Sequence, residues 1–297
     1  MMLHTLRAMA TASCVCNDTS LCAPIASALP RIEIFGFMAS AANASHFDWS
    51  SGVTSVAWNL DAQFVCKAHA HGVRVIAPHG VASGGFNITE LGESASKRAA
   101  WIDALLAYIA ANHLDGVTFD YESPLAERAP EVAWYAQIVK ETTKALRARV
   151  APTTQSSVCA AWSPDCIDGR CYDYGALAEA SDFLYVMGYD TRSQIFDACT
   201  AYANAALPLM QRGVARYLES GVAPEKLVLG TPWYGCTSPL LRARRGRRSG
   251  GDAAVAVAPA IAAPPLSAEA RVCPGSVLTR RARRHPSRMA PSPPPPS

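Results

Sequence analysis

The chain has 297 residues, half of them apolar, which is enough for one large α/β domain or two small ones. Its net charge of +3 conceals a division. From Arg242 onward there are 11 Arg and no Lys against two acids, Asp252 and Glu269, which leaves 16 bases and 22 acids in the remainder. An acidic body of this kind gives no footprint for nucleic acid, and with no run of 18 apolar residues a membrane-spanning helix is not expected either.

In chain order, residues 1–30 form a Cys-rich segment. Residues 1–12 lack an apolar run long enough for a signal peptide. Cys14, Cys16 and Cys22 cluster here, and Cys159, Cys166 and Cys171 cluster later. Neither group has the paired spacing of a zinc site. Three N-x-Ser/Thr sequons, at Asn17, Asn43 and Asn87, occur among only six asparagines, an excess that favours a secretory route and therefore disulfides.

Strands are expected at residues 32–37, 53–58 and 73–77. An amphipathic helix follows at 94–112, with Trp101, Ile102, Leu105, Leu106 and Ile109 at helical spacing. A carboxylate-bearing strand spans 115–122. A second helix begins at Pro130, where proline's missing N–H costs nothing at the first helical position, and runs to about residue 149. Further strands are read at 158–162, 183–187 and 227–233. A helix at 201–220 stops at Gly221. Seven strands separated mostly by helices predict a parallel (β/α)8-type barrel over residues 31–240. No eighth strand is legible, so the barrel reads as incomplete. Residues 241–297, rich in Arg, Pro and Ala, read as a disordered basic tail.

The strand at 115–122 carries the chemistry. Alternate residues on a strand face the same side, so Thr118, Asp120 and Glu122 share one face while Val117, Phe119 and Tyr121 share the other. The apolar set suits the helix-facing side, which turns the acids into the barrel lumen, at the C-terminal end where such barrels place their active sites. Two neighbouring carboxylates repel, raising one pKa and leaving a carboxylic acid available as a proton donor. The rival reading is an exposed edge strand with solvated acids.

Asp115-Gly116-Val117-Thr118-Phe119-Asp120-Tyr121-Glu122 resembles the D-G-x-D/N-x-D-x-E signature of glycoside hydrolase family 18, the chitinase-like (β/α)8 barrels, with Thr118 where Asp or Asn is usual. Cys14-Val15-Cys16 with Leu21 to Ile25 in sequence, Ala161-Trp162-Ser163-Pro164, Cys171-Tyr172-Asp173-Tyr174, Met187-Gly188-Tyr189-Asp190 with Ser193-Gln194-Ile195, and the run from Lys226 through Trp233, Tyr234 and Gly235 extend the resemblance. They point within the family to its chitobiase branch.

The resemblance implies a glycosidase acting on N-acetylglucosamine β-1,4 linkages in chito-oligosaccharides or the chitobiose core of N-glycans. The protein would be lysosomal or secreted, monomeric and free of any cofactor or metal. It also implies substrate-assisted retention, an exception to the two-carboxylate scheme. Glu122 protonates the glycosidic oxygen, and the substrate's own acetamide attacks the anomeric carbon. Asp120 orients that acetamide, Asp115 supports Asp120 from behind, and Tyr189 hydrogen-bonds the acetamide carbonyl. Met187, Asp190, Gln194, Trp162, Trp233 and Tyr234 would bind sugar. The rival readings are a core aromatic for Tyr189, a helix cap for Asp190 and core positions for the two Trp. The histidines, His69 and His79 among them, read as structural. Two alternatives stay open: a non-catalytic sugar-binding protein on the same scaffold, and a truncated, inactive product.

Overall fold

The computed structural model describes residues 13–38, 47–57, 61–80, 85–191, 203–233, 236–237 and 271–272. Its centre is a seven-stranded, all-parallel sheet whose spatial order follows the chain: β1 (Phe35–Phe37), β2 (Ser55–Ala57), β3 (Arg74–Pro78), β4 (Gly116–Phe119), β5 (Gln155–Ala160), β6 (Phe183–Met187) and β7 (Leu227–Gly230). The crossovers carry α1 (Ala62–Ala70), α2 (Ile88–Glu93), α3 (Ala95–Ala111), α4 (Pro130–Arg149), α5 (Tyr174–Ala180) and α6 (Leu207–Glu219). Five neighbour steps at about 4.8 Å would put β1 some 24 Å from β6 in a flat sheet. Instead the Phe35 ring lies 5.7 Å from that of Phe183 and 5.5 Å from that of Tyr185. The sheet is therefore curled into a barrel around its own side chains. Among the described residues no strand bridges β7 back to β1. Separately, β8 (Cys236–Thr237) and β9 (Arg271–Val272) form a parallel pair of two residues each.

Alternation along the strands makes two cores. Helix-facing Val56, Val75, Val117, Phe119, Val158 and Leu184 join Phe64, Leu105, Ile109, Ile138 and Leu146 of the helices. The lumen holds Phe35, Ala57, Ile76, Cys159, Phe183, Tyr185 and Met187. Below this apolar layer, at the N-terminal ends of the strands, lies a polar floor. Gln155 is fully buried and donates to Glu33 at 3.2 Å, and the Ser55 hydroxyl also bonds Glu33. The buried Arg74 guanidinium donates to the carbonyls of Ser27 and Ala28, so the chain entering β1 closes the bottom of the barrel.

The helix termini follow from the sequence. Asp61 caps α1 by accepting from the Phe64 N–H, Ser94 caps α3 through the Lys97 N–H, and Pro130 opens α4. Among the described residues there are three disulfides: Cys14–Cys22, Cys16–Cys66 and Cys166–Cys171. The second ties the N-terminal segment to α1. Among the described residues, no helix is long and apolar enough to cross a membrane.

Candidate active site

The carboxylate strand turns as its alternation requires. Val117 and Phe119 are fully buried in the helix-facing core, with Tyr121 packed against it. Thr118 points inward, its Oγ1 3.7 Å from the lumen thiol of Cys159. Asp120 follows immediately after β4, at the C-terminal mouth of the barrel. Its pKa is raised, first by burial and then by the charge of Glu122, against the smaller opposing effect of the Cys159 thiol and the Arg170 charge. Cys159 thus stands beside both Thr118 and Asp120. Asp120 Oδ1 is buried and has no hydrogen-bond partner among the described residues. A buried, unmatched carboxylate oxygen is costly and needs a donor.

Glu122 lies two residues on, its side chain 52% exposed at the mouth and its Oε2 2.7 Å from Arg170 Nη1. His79, just beyond β3, accepts the Asp120 backbone N–H on Nδ1 at 3.0 Å and stacks on Phe119. Burial depresses its pKa to about 4, so the ring is neutral and Nδ1 is free to accept. Two strands on from β4, Met187 ends β6 inside the lumen cluster. Tyr189 packs against the same cluster and hydrogen-bonds Tyr185, whose phenol burial raises to about 12. Asp190 sits at φ 48, in the left-handed region, with its N–H bonded to Asn204. Glu122, Asp120, Met187, Tyr189 and Asp190 therefore all stand at the C-terminal ends of β4 and β6.

Other expected site residues fall elsewhere. Asp115 precedes β4, at the opposite end of the barrel. Its Oδ1 accepts the Ile25 N–H at 2.7 Å, and its Oδ2 accepts the Val75 N–H and His69 Nε2, both at 2.8 Å. Both oxygens are engaged there, so Asp115 does not support Asp120 and pins the N-terminal segment instead. Trp162 follows β5 with the parity of the helix-facing residues and lies against Gly213 of α6. This removes it from the carboxylate cluster. Trp233, past β7, is 92% exposed. Gln194 and Tyr234 lie outside the described residues.

Two residues not singled out from sequence belong to the cluster, His79 and Arg170. Each meets its partner across more than forty residues of chain, and neither lies in a local motif. Cys14, Cys16 and Cys22 place their sulfurs within 4.8 Å of one another, but all three are in disulfides and offer no thiolate to a metal.

Comparison with known proteins bears on this arrangement. The family model described as "Glycosyl hydrolases family 18" matches residues 34–255. Di-N-acetylchitobiase of Mus musculus is 35% identical over 236 residues, covering 79% of this chain and 62% of that protein. The Homo sapiens protein of the same name is 36% identical, covering 77% and 58%. Probable di-N-acetylchitobiase 2 of Dictyostelium discoideum is 37% identical, covering 75% and 56%. The chain thus spans about three fifths of the length of these relatives. Among solved structures, the class V chitinase of Nicotiana tobaccum superposes with a TM-score of 0.55 at 20% identity, covering 67% of this chain and 66% of that one. A family 18 N-acetylglucosaminidase of Paenibacillus barengoltzii gives 0.55 at 16% identity, covering 68% and 69%. Barrel topology, the carboxylates at its mouth and the family match agree, and the chain belongs to the glycosyl hydrolases of family 18.

Proposed function

We propose that this protein is a glycoside hydrolase of chitobiase type, cleaving β-1,4 linkages beside N-acetylglucosamine in chito-oligosaccharides or N-glycan cores by substrate-assisted retention. The observation that carries the reading is the Asp120–Glu122 pair. Asp120 is half-buried with one buried carboxylate oxygen unmatched among the described residues, and Glu122 stands open to the mouth of the barrel beside it. A sugar acetamide N–H would supply the donor that Asp120 Oδ1 lacks. Held there, its carbonyl oxygen becomes the nucleophile at the anomeric carbon, and Asp120 offsets the positive charge of the resulting oxazolinium ion. Glu122 gives its proton to the departing oxygen and then takes one from the incoming water. Tyr189, at the end of β6, would fix the acetamide carbonyl. The relatives named di-N-acetylchitobiase support the substrate class. The three disulfides support a secreted or lysosomal setting.

The test is Glu122→Gln, assayed on a chromogenic di-N-acetylchitobioside. Loss of a positioned general acid lowers turnover by at least about 10²-fold. The fold is retained, because the Gln amide oxygen still accepts from Arg170 and Asp168 keeps the guanidinium paired, so the loss of turnover is not a loss of folding. Turnover near that of the parent would remove Glu122 from the role.

A further inference from the structure

Arg170 is an unusual neighbour for a proton donor. The residue is only 7% exposed although its guanidinium is charged, and a buried cation persists only when its donors are matched. Its donors are spent locally and on Glu122: Nε to the Ile167 carbonyl at 3.3 Å, Nη2 to Asp168 at 3.1 Å, and Nη1 to Glu122 Oε2 at 2.7 Å. The turn that carries it is closed by the Cys166–Cys171 disulfide. That turn is stitched to the segment just after Glu122, with Leu125 N–H to the Gly169 carbonyl at 3.0 Å and Cys171 N–H to the Leu125 carbonyl at 3.3 Å. One residue beyond the disulfide, the Tyr172 hydroxyl lies 3.1 Å from the Tyr121 carbonyl and 2.6 Å from that of Ser123. Glu122 is therefore gripped twice by one short loop. Tyr172 holds the carbonyls of the residues on either side of it, Tyr121 and Ser123, and Arg170 holds one oxygen of its carboxylate.

The geometry points to Arg170 as a positioning residue for the reaction. By occupying Oε2 it fixes the rotamer of Glu122 and leaves Oε1 as the oxygen that carries the proton to the glycosidic oxygen and recovers one from water. The disulfide-closed turn is its mount. This rests on the reading of Glu122 as proton donor. The Arg170 role itself concerns where the Glu122 carboxylate sits, which can be observed without turnover.

Two measurements test it together: kinetics on the chromogenic di-N-acetylchitobioside for the parent, Arg170→Ala and Arg170→Lys, and crystal structures of the parent and Arg170→Ala. Misplacement of a reacting group by about an ångström costs up to about 10²-fold, so R170A is expected to lose about 10- to 100-fold in kcat with KM within about threefold. R170K recovers part of the loss, since a cation remains without the planar fork. In a Glu122→Gln background, Arg170→Ala changes the residual rate by less than about twofold, because the two residues act as one unit. A merely structural arginine would lower both backgrounds alike. In the R170A crystal the Glu122 carboxylate leaves its parental rotamer. Parental kcat in R170A, an additive double variant, or an unmoved Glu122 overturns the role. If the parent is inactive yet Glu122 moves in R170A, the positioning role stands and the hydrolase reading fails.

Discussion

His69 is buried with an acceptor on each side of its ring: Leu21 carbonyl 2.6 Å from Nδ1 and Asp115 Oδ2 2.8 Å from Nε2. Two acceptors favour a proton on both nitrogens. Burial opposes the charge, but the hydrogen bond and charge of Asp115 and the Leu21 carbonyl outweigh it, and the His69 pKa is raised. A folded-state pKa above the unfolded value stabilises the fold fully below about pH 6.5, and that stability is lost as pH climbs through the folded value. His79 has the opposite sign. With a pKa near 4, its contribution is present above about pH 6.5 and lost as pH falls toward 4. Asp115→Asn is therefore expected to cost about 3 to 5 kcal/mol in urea unfolding at pH 6, the usual penalty for breaking a buried pair, and clearly less at pH 9. An equal loss at both pH values would contradict the charged pair. The motif contained a warning about Asp115: five residues of strand span about 16 Å, too far for it to back Asp120. His69, His79 and Arg170 gave no such signal, because their partners are remote in sequence and the pairing exists only once the barrel closes.

At the level of elements, legibility followed length and apolarity. The helix read from Pro130 to about residue 149 is α4 (Pro130–Arg149), and the strand at 183–187 is β6 (Phe183–Met187). Helices α1, α2 and α5, of nine, six and seven residues, are too short for a 3.6-residue period to repeat persuasively. Strand β5 begins three residues earlier than the apolar run indicated, at Gln155. Gln155, Ser156 and Ser157 are polar yet fully buried: Gln155 joins the polar floor, and the Ser156 hydroxyl bonds Thr143 of α4. At the other end of the strand, Trp162 keeps the helix-facing parity of Val158 and Ala160 and sits against α6. Gly213 of α6 is where the two meet, and a Cβ there would overlap the Trp162 carbonyl oxygen. Helix propensity alone would have Gly213→Ala stabilise by about 1 kcal/mol. The overlap with backbone should reverse the sign, to a loss of about 1 to 3 kcal/mol, measured by denaturant unfolding. A gain in stability would mean that α6 stands further from β5 than described.

Across the whole barrel, an acidic body arranges its polar groups at two ends with an apolar plug between. The N-terminal end is structural: Arg74, Gln155 and Glu33 make its floor, while Asp115 and the Cys16–Cys66 disulfide hold the incoming segment to it. The C-terminal end gathers Asp120, Glu122, His79, Tyr189 and Arg170, and leaves one buried carboxylate oxygen of Asp120 without a donor among the described residues. Phe37 of β1 is 36% exposed and Leu229 of β7 49%. The central claim is that the sugar's own acetamide completes the site and attacks the anomeric carbon. The most direct test compares the parent chain on two chromogenic disaccharides that differ only at the 2-position, di-N-acetylchitobioside and its 2-hydroxy counterpart. Cleavage of the first, with the second slower by at least about 10³-fold, is expected when an effective intramolecular nucleophile is removed. Equal cleavage of both, or of neither, would contradict it.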